Sequence, residues 1–184
     1  MTLPTALVSS ESNERYTPPH IIEAARRLMG EIDLDPASCA IANTIVGAKT
    51  YYTEADNGLV KPWYGRVWCN PPYGTVGGES MAGLFARRMF DLYHSGEFEQ
   101  GLLLVNAAVS ATWFQPLHHQ AICFPRQRIA FLDEGLNVLD QPTKDNAIVY
   151  FGTDRIKFAE HFYAIGECHQ LIQPRTFAVA KPMF

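Results

Sequence analysis

An α/β fold, with a mixed sheet and helices on both of its faces, is what the sequence predicts. Three observations carry it. Segments with apolar residues at helical spacing alternate with short strand-like runs. The run Gly-Leu-Leu-Leu-Val-Asn at 101–106 is apolar almost throughout, as in a strand covered on both faces. Toward the end of the chain, strand-like runs follow one another closely, which calls for an antiparallel edge or hairpin.

The elements follow in order. Pro18-Pro19 opens a helix through Ile21, Ile22, Ala25, Leu28 and Met29, and Gly30 stops it. Thr17 stands where an N-cap is expected. Ile32-Asp33-Leu34-Asp35 reads as a short strand broken by Pro36, and Arg66-Val67-Trp68-Cys69 as another. Residues 83–93 suit a helix with Leu84, Phe85, Met89 and Leu92 on one side and Arg87 and Arg88 on the other. After the strand at 101–106, further strands are expected at 121–124, 129–132, 147–151 and 162–165. Residues 1–13 read as a flexible polar tail and 14–184 as a single domain, since no repeat or long linker divides them.

Composition narrows the class. A chain of 184 residues with 47% apolar and 12% aromatic content can bury a full core and is not disordered. No apolar run approaches the ~18 residues of a membrane span, and the start lacks a signal-peptide pattern, so a cytoplasmic location is expected. Cys39, Cys69, Cys123 and Cys168 are widely spread with no Cys-x-x-Cys pair, as reduced thiols would be. His118-His119 has no carboxylate or cysteine at ligand spacing, so no metal is expected. The net charge of −4 argues against a protein that coats nucleic acid, but allows a local basic face.

The segment that carries chemistry is Asn70-Pro71-Pro72-Tyr73, directly after the strand at 66–69 and before Gly74. Two prolines make the chain leave the strand in a stiff, extended turn. There the Asn70 amide and the proline carbonyls can act together as acceptors beside an aromatic ring. An exocyclic amine on a planar ring needs such acceptors, because its lone pair is otherwise delocalised into the ring. Short motifs occur by chance, so the surrounding residues matter.

Those residues are Tyr16-Thr17-Pro18-Pro19, Asp33-Leu34-Asp35-Pro36-Ala37-Ser38, Tyr51-Tyr52-Thr53, Asp56-Asn57-Gly58-Leu59 and Trp63. Leu103 to Asn106, Trp113-Phe114, Cys123 to Arg126, Arg128 and Ala147 to Gly152 continue the series. The ordered set, over roughly residues 14 to 166, resembles the phage-type DNA adenine-N6 methyltransferases, the Dam-like family of bacteriophages and prophages. The resemblance implies a Rossmann-like methyltransferase fold, S-adenosylmethionine as methyl donor and double-stranded DNA as substrate. It implies that Asn70 and Pro71 accept hydrogen bonds from the adenine N6, and that Tyr73 stacks on the base once it has left the duplex. Pro72 completes that turn.

For the donor, the resemblance points to Asp35, Pro36, Ala37 and Ser38 at the end of the first strand, and to Tyr16, Thr17 and Pro18 closing over its carboxylate end. Asp56 is a candidate for its adenosine part, with an Asp-Asn-Gly turn as the plain alternative. The pattern Gly-x-Gly-x-x-Gly is missing, and Asn70 follows Asp35 by only 35 positions, so the middle of the sheet must be abbreviated. Arg126, Arg128 and Lys144 are candidate phosphate contacts, and residues 74–81 suit a mobile loop over substrate. Two other functions stay open: methyl transfer to RNA or to a protein glutamine amide, and a binding module without turnover.

Overall fold

The computed structural model describes residues 15–139 and 144–170, so the expected tail at 1–13 lies outside the described residues. The strands are β1 (Leu34–Asp35), β2 (Thr50–Tyr51), β3 (Arg66–Cys69), β4 (Thr75–Val76), β5 (Glu79–Ser80), β6 (Gln100–Asn106), β7 (Ala121–Pro125), β8 (Asn146–Phe151) and β9 (Gly166–Gln170). The helices are α1 (Pro19–Met29), α2 (Ala40–Val46), α3 (Met81–His94) and α4 (Arg155–Phe162), with a 3₁₀ turn at Gln115–His119. Seven strands form one mixed sheet in the order β2-β1-β3-β6-β8-β7-β9. The half from β2 to β6 is parallel, whereas β8 runs antiparallel to both β6 and β7, and β9 antiparallel to β7.

The alternation of the central strands explains why both faces are covered. Trp68, Leu102, Leu104, Ile148 and Tyr150 face a core with α1, α2 and α4. Val67, Cys69, Leu103, Val105 and Val149 face the other core, which α3 and the 3₁₀ turn complete. A period of two places successive side chains in opposite cores, so β6 reads as apolar at every step. Helices on both faces of a mixed sheet are therefore as expected, and the abbreviation is visible in β1 and β2, of two residues each.

Two expected strands are absent. Residues 129–132 make only single bridges at Leu132, to Tyr16 and to Val138. Their apolar side chains serve as anchors: Ile129 and Phe131 are buried in the α1 core. At 162–165 the chain instead ends α4 and turns, and β9 starts at Gly166. Asp154 caps α4 by accepting from the Lys157 N–H at 3.0 Å, and Phe158 and Phe162, four apart, face inward together. Helical spacing thus competed with a strand reading and won.

Residues 74–81 are a hairpin rather than an open loop. Thr75 pairs with Ser80 and Val76 with Glu79, around Gly77 and Gly78 at φ 60° and 84°. Two central residues with positive φ match the right-handed twist of a two-residue hairpin. Ser80 then caps α3 by accepting from the Gly83 N–H.

Candidate active site

Asp35 and Asn70 lie at the carboxyl ends of neighbouring parallel strands, β1 and β3, joined in register at Leu34 and Val67. Asn106 at the end of β6 and Asn146 at the start of β8 face each other on the same edge. The strip Arg15-Tyr16-Thr17-Pro18 crosses this edge. Tyr16 is tied to Leu132 by backbone bonds in both directions, each 2.9 Å. Its hydroxyl accepts from Cys39 Sγ at 3.5 Å, next to the turn that follows Asp35.

Thr17 does not cap α1. Pro18 occupies the N-cap without a side-chain bond, and the buried Thr17 hydroxyl faces Asn70 instead. Asn70 Nδ2 donates to the Arg15 carbonyl at 2.9 Å and to Thr17 Oγ1 at 3.2 Å. A carbonyl only accepts, so this partner decides which end of the amide is nitrogen. Asn70 Oδ1 is thereby turned away from the strip as an acceptor without a partner among the described residues. Pro71 is buried and Pro72 exposed, as a turn that leaves the sheet requires.

Tyr73 is half-buried, edge-on to Phe131 with ring centroids 6.3 Å apart. The Arg15 guanidinium lies over its ring, 5.5 Å from the centroid. Burial raises the pKa of the phenol, while the side chain of Asn146 and the charge of Arg15 hold it down. Asn146 is itself buried and donates to the Val105 carbonyl at 3.5 Å and to Asn106 Oδ1 at 3.4 Å.

Asp35 is 2% exposed, and no Lys, Arg or His pairs with it among the described residues. Burial pushes its carboxyl up to about 7, against the Ala37 N–H and the Ser38 hydroxyl, which favour the charged form. The Ala37 N–H donates to Asp35 Oδ1 at 3.1 Å, and Pro36 is buried behind the turn. An acid in an apolar site without a countercharge is one that a cationic ligand would neutralise. The neighbouring Cys69 thiol is fully buried and its pKa lies well above the usual range, through burial and the Asp35 charge. It is no nucleophile for carbon methylation.

Asp56 sits in a turn packed onto this corner. Its Oδ2 accepts from the Thr53 N–H at 2.9 Å and the Thr53 hydroxyl at 2.7 Å, and these bonds lower its pKa. A Cβ on Gly58 would stand 1.9 Å from the Pro36 carbonyl oxygen, so only glycine lets the two turns meet.

The basic candidates sit around the end of β7 and the start of β8. Arg126 and Arg128 follow the end of β7, three strands along the sheet order from β3. Arg126 pairs with Glu167 at 2.8 Å, lies over the Tyr163 ring and donates to the Tyr163 carbonyl. Arg128 pairs with Asp145 at 2.9 Å. Lys144 is exposed beside Asp145. A pocket of about 240 Å³ lined by Leu28, Gln100, Tyr150 and Asp154 belongs to the opposite edge of the sheet and holds none of these residues. Sequence reasoning missed Arg15, Asn106 and Asn146. Only the last two carried a signal, as asparagines bounding apolar runs.

Among known proteins, a family model described as DNA N-6-adenine-methyltransferase (Dam) matches residues 5–161. No curated protein and no solved structure matches the chain.

Proposed function

The chain belongs to the DNA N-6-adenine-methyltransferase (Dam) family, and from that premise we propose that it transfers a methyl group from S-adenosylmethionine to N6 of an adenine drawn out of double-stranded DNA. The observation that carries this reading is the oriented Asn70 amide, whose oxygen is left free beside Tyr73. The parallel half of the sheet supports a Rossmann-like methyltransferase fold, since such sheets bind ligands off their carboxyl ends.

In this reading Asn70 Oδ1 and the Pro71 carbonyl accept hydrogen bonds from the two N6–H groups, which localises the lone pair on nitrogen. As the N6–methyl bond forms the donor's sulfur–methyl bond breaks, the thioether leaves, and the methylated amine gives one proton to solvent. Tyr73 stacks on the extruded base, a platform worth roughly 1–3 kcal/mol per base in comparable sites. The donor supplies an electrophilic methyl group. Asp35, with Pro36, Ala37 and Ser38, is the site for its charged end, because the buried carboxylate lacks a cation of its own. Tyr16, Thr17 and Pro18 lie between that corner and Asn70, where they can touch donor and base site at once. Asp56 completes the donor corner through its turn against Pro36.

The test is direct. Purified protein, donor and unmodified duplex DNA are incubated, and the DNA is digested and analysed by mass spectrometry. N6-methyladenine supports the reading. Label that appears only in RNA or protein offered in parallel overturns it in favour of another planar nitrogen acceptor.

A pH dependence follows from Asp35. Its folded pKa, near 7, lies above its ordinary value of 3.8. The folded chain therefore holds a proton that the unfolded chain releases, and stability falls as pH rises from about 4 to 7. A cationic ligand reverses the sign, because it binds the ionised form. Donor affinity measured by calorimetry should rise up to about tenfold per pH unit between 5 and 7, then level off. Asp35→Asn should bind weakly with no such slope. A wild-type affinity that stays flat across this range would show that Asp35 does not face the donor's charge.

A further inference from the structure

We infer that Arg15 is the cation that holds the DNA phosphate beside the target adenine, an inference that rests on the proposed reaction and deepens it. Its guanidinium lies over the ring of Tyr73, 5.5 Å from the centroid, at the mouth of the candidate site. Arg66, Arg126 and Arg128 each meet a carboxylate, but Arg15 meets none among the described residues. Arg26 and Arg88 are also half-buried without a carboxylate, but they donate to the main-chain carbonyls of Ile45, Val46 and Lys61, whereas the Arg15 guanidinium makes no hydrogen bond among the described residues.

The main chain fixes its place. The Arg15 carbonyl receives the Asn70 amide, and the next residue is bonded in both directions to Leu132. The side chain is therefore rooted within one residue of the atoms that orient the catalytic turn. Stacking uses the flat face of a guanidinium and leaves its N–H edge free. That edge matches two phosphate oxygens in a paired contact. When a nucleotide swings out about its backbone, the phosphates on either side stay at the mouth of the pocket that takes the base. A cation stacked on the base platform stands where such a phosphate arrives, so phosphate capture and base capture are coupled through the Tyr73 ring. Arg126 and Arg128 would first have to give up Glu167 and Asp145.

The experiment is a salt titration of DNA binding by fluorescence anisotropy, using a short duplex that the wild-type protein methylates, or an arbitrary duplex if none is found. Wild type, Arg15→Ala, Arg15→Gln and Arg15→Lys are compared. Calorimetry with S-adenosylmethionine and melting curves establish that each variant is folded. Removing one phosphate contact should flatten the slope of log affinity against log salt by about 0.9. Affinity at low salt should fall about tenfold, as expected for a charge-assisted contact. Arg15→Lys should keep the slope but not the full affinity, because an ammonium neither forks nor stacks in the same way. Arg15→Gln is the fallback should Arg15→Ala fail to fold, and its slope decides alone. A folded neutral variant with the wild-type slope overturns the inference, even if its affinity drops. A wild-type protein that binds DNA without methylating it sinks the proposed reaction but still leaves the slope to decide Arg15. One that binds no DNA sinks both.

Discussion

Asn70→Ala should lower the rate of methyl transfer to DNA by about 10²-fold or more, while affinity for S-adenosylmethionine changes little. The scale is that of removing one preorganised group that meets charge only in the transition state. Asn70 Oδ1 is such a group, because Nδ2 is occupied by the Arg15 carbonyl and Thr17 and so fixes where the oxygen points. The strip at 15–18 does not depend on Asn70 alone, since Tyr16 keeps its two backbone bonds to Leu132. The variant should therefore fold. Asn70→Asp separates the two ends of the amide: it retains an acceptor for N6, but it sets a carboxylate oxygen against the Arg15 carbonyl. An intermediate rate is expected. Single-turnover measurements under saturating donor read the effect, and an Asn70→Ala variant within a few-fold of wild type would remove this side chain from the mechanism.

What the sequence disclosed and what it hid divide along a physical line. Turns governed by proline and glycine were legible, because those residues restrict the backbone whatever surrounds them. The breaks after β1 and β3, the start of α1 at Pro18-Pro19 and its stop at Gly30 (φ 85°) all stand where expected. Apolar runs were less reliable. Residues 129–132 have the composition of a strand, yet they meet the strip at 15–18 through one bridge and bury Ile129 and Phe131 in the α1 core. Phe162 belongs to a helix face with Phe158, and four residues of context could not separate that from a strand. α2 escaped notice because it is seven residues long and of its residues only Val46 is buried, which leaves almost no periodic signal.

The site divides in the same way. Asp35 and Asn70 could be paired from the sequence because each ends a strand. Their approach then follows from the parallel neighbours β1 and β3. Arg15 could not be found that way. Its distinction is a guanidinium that lies over the Tyr73 ring beside Asn70 and has neither a carboxylate nor a hydrogen-bond partner among the described residues, and none of this is a property of local sequence. Arg126 and Arg128 drew attention as basic residues in an acidic chain, but the carboxylates that meet them come from 41 and 17 residues away.

Asp35→Ala should weaken S-adenosylmethionine binding by roughly 10- to 100-fold, the usual range for losing a charge-assisted contact of about 1.5–3 kcal/mol. DNA binding in the absence of donor should hardly change, since the carboxylate is 2% exposed and cannot reach a duplex on the surface. Stability gives an independent check. Near pH 7 the free protein keeps Asp35 only partly ionised, with the Ala37 N–H as its hydrogen-bond partner. Its removal should thus cost little in the melting temperature of the free protein. The wild type should gain more in melting temperature on adding donor than the variant does, because a ligand stabilises a fold in proportion to how tightly it binds. Equal gains, with both proteins folded, would make Asp35 a strand-end residue whose burial serves packing alone. The donor's charge would then have to be met elsewhere, and the partly exposed Asp56 carboxylate, already bonded to Thr53, would be the next to replace.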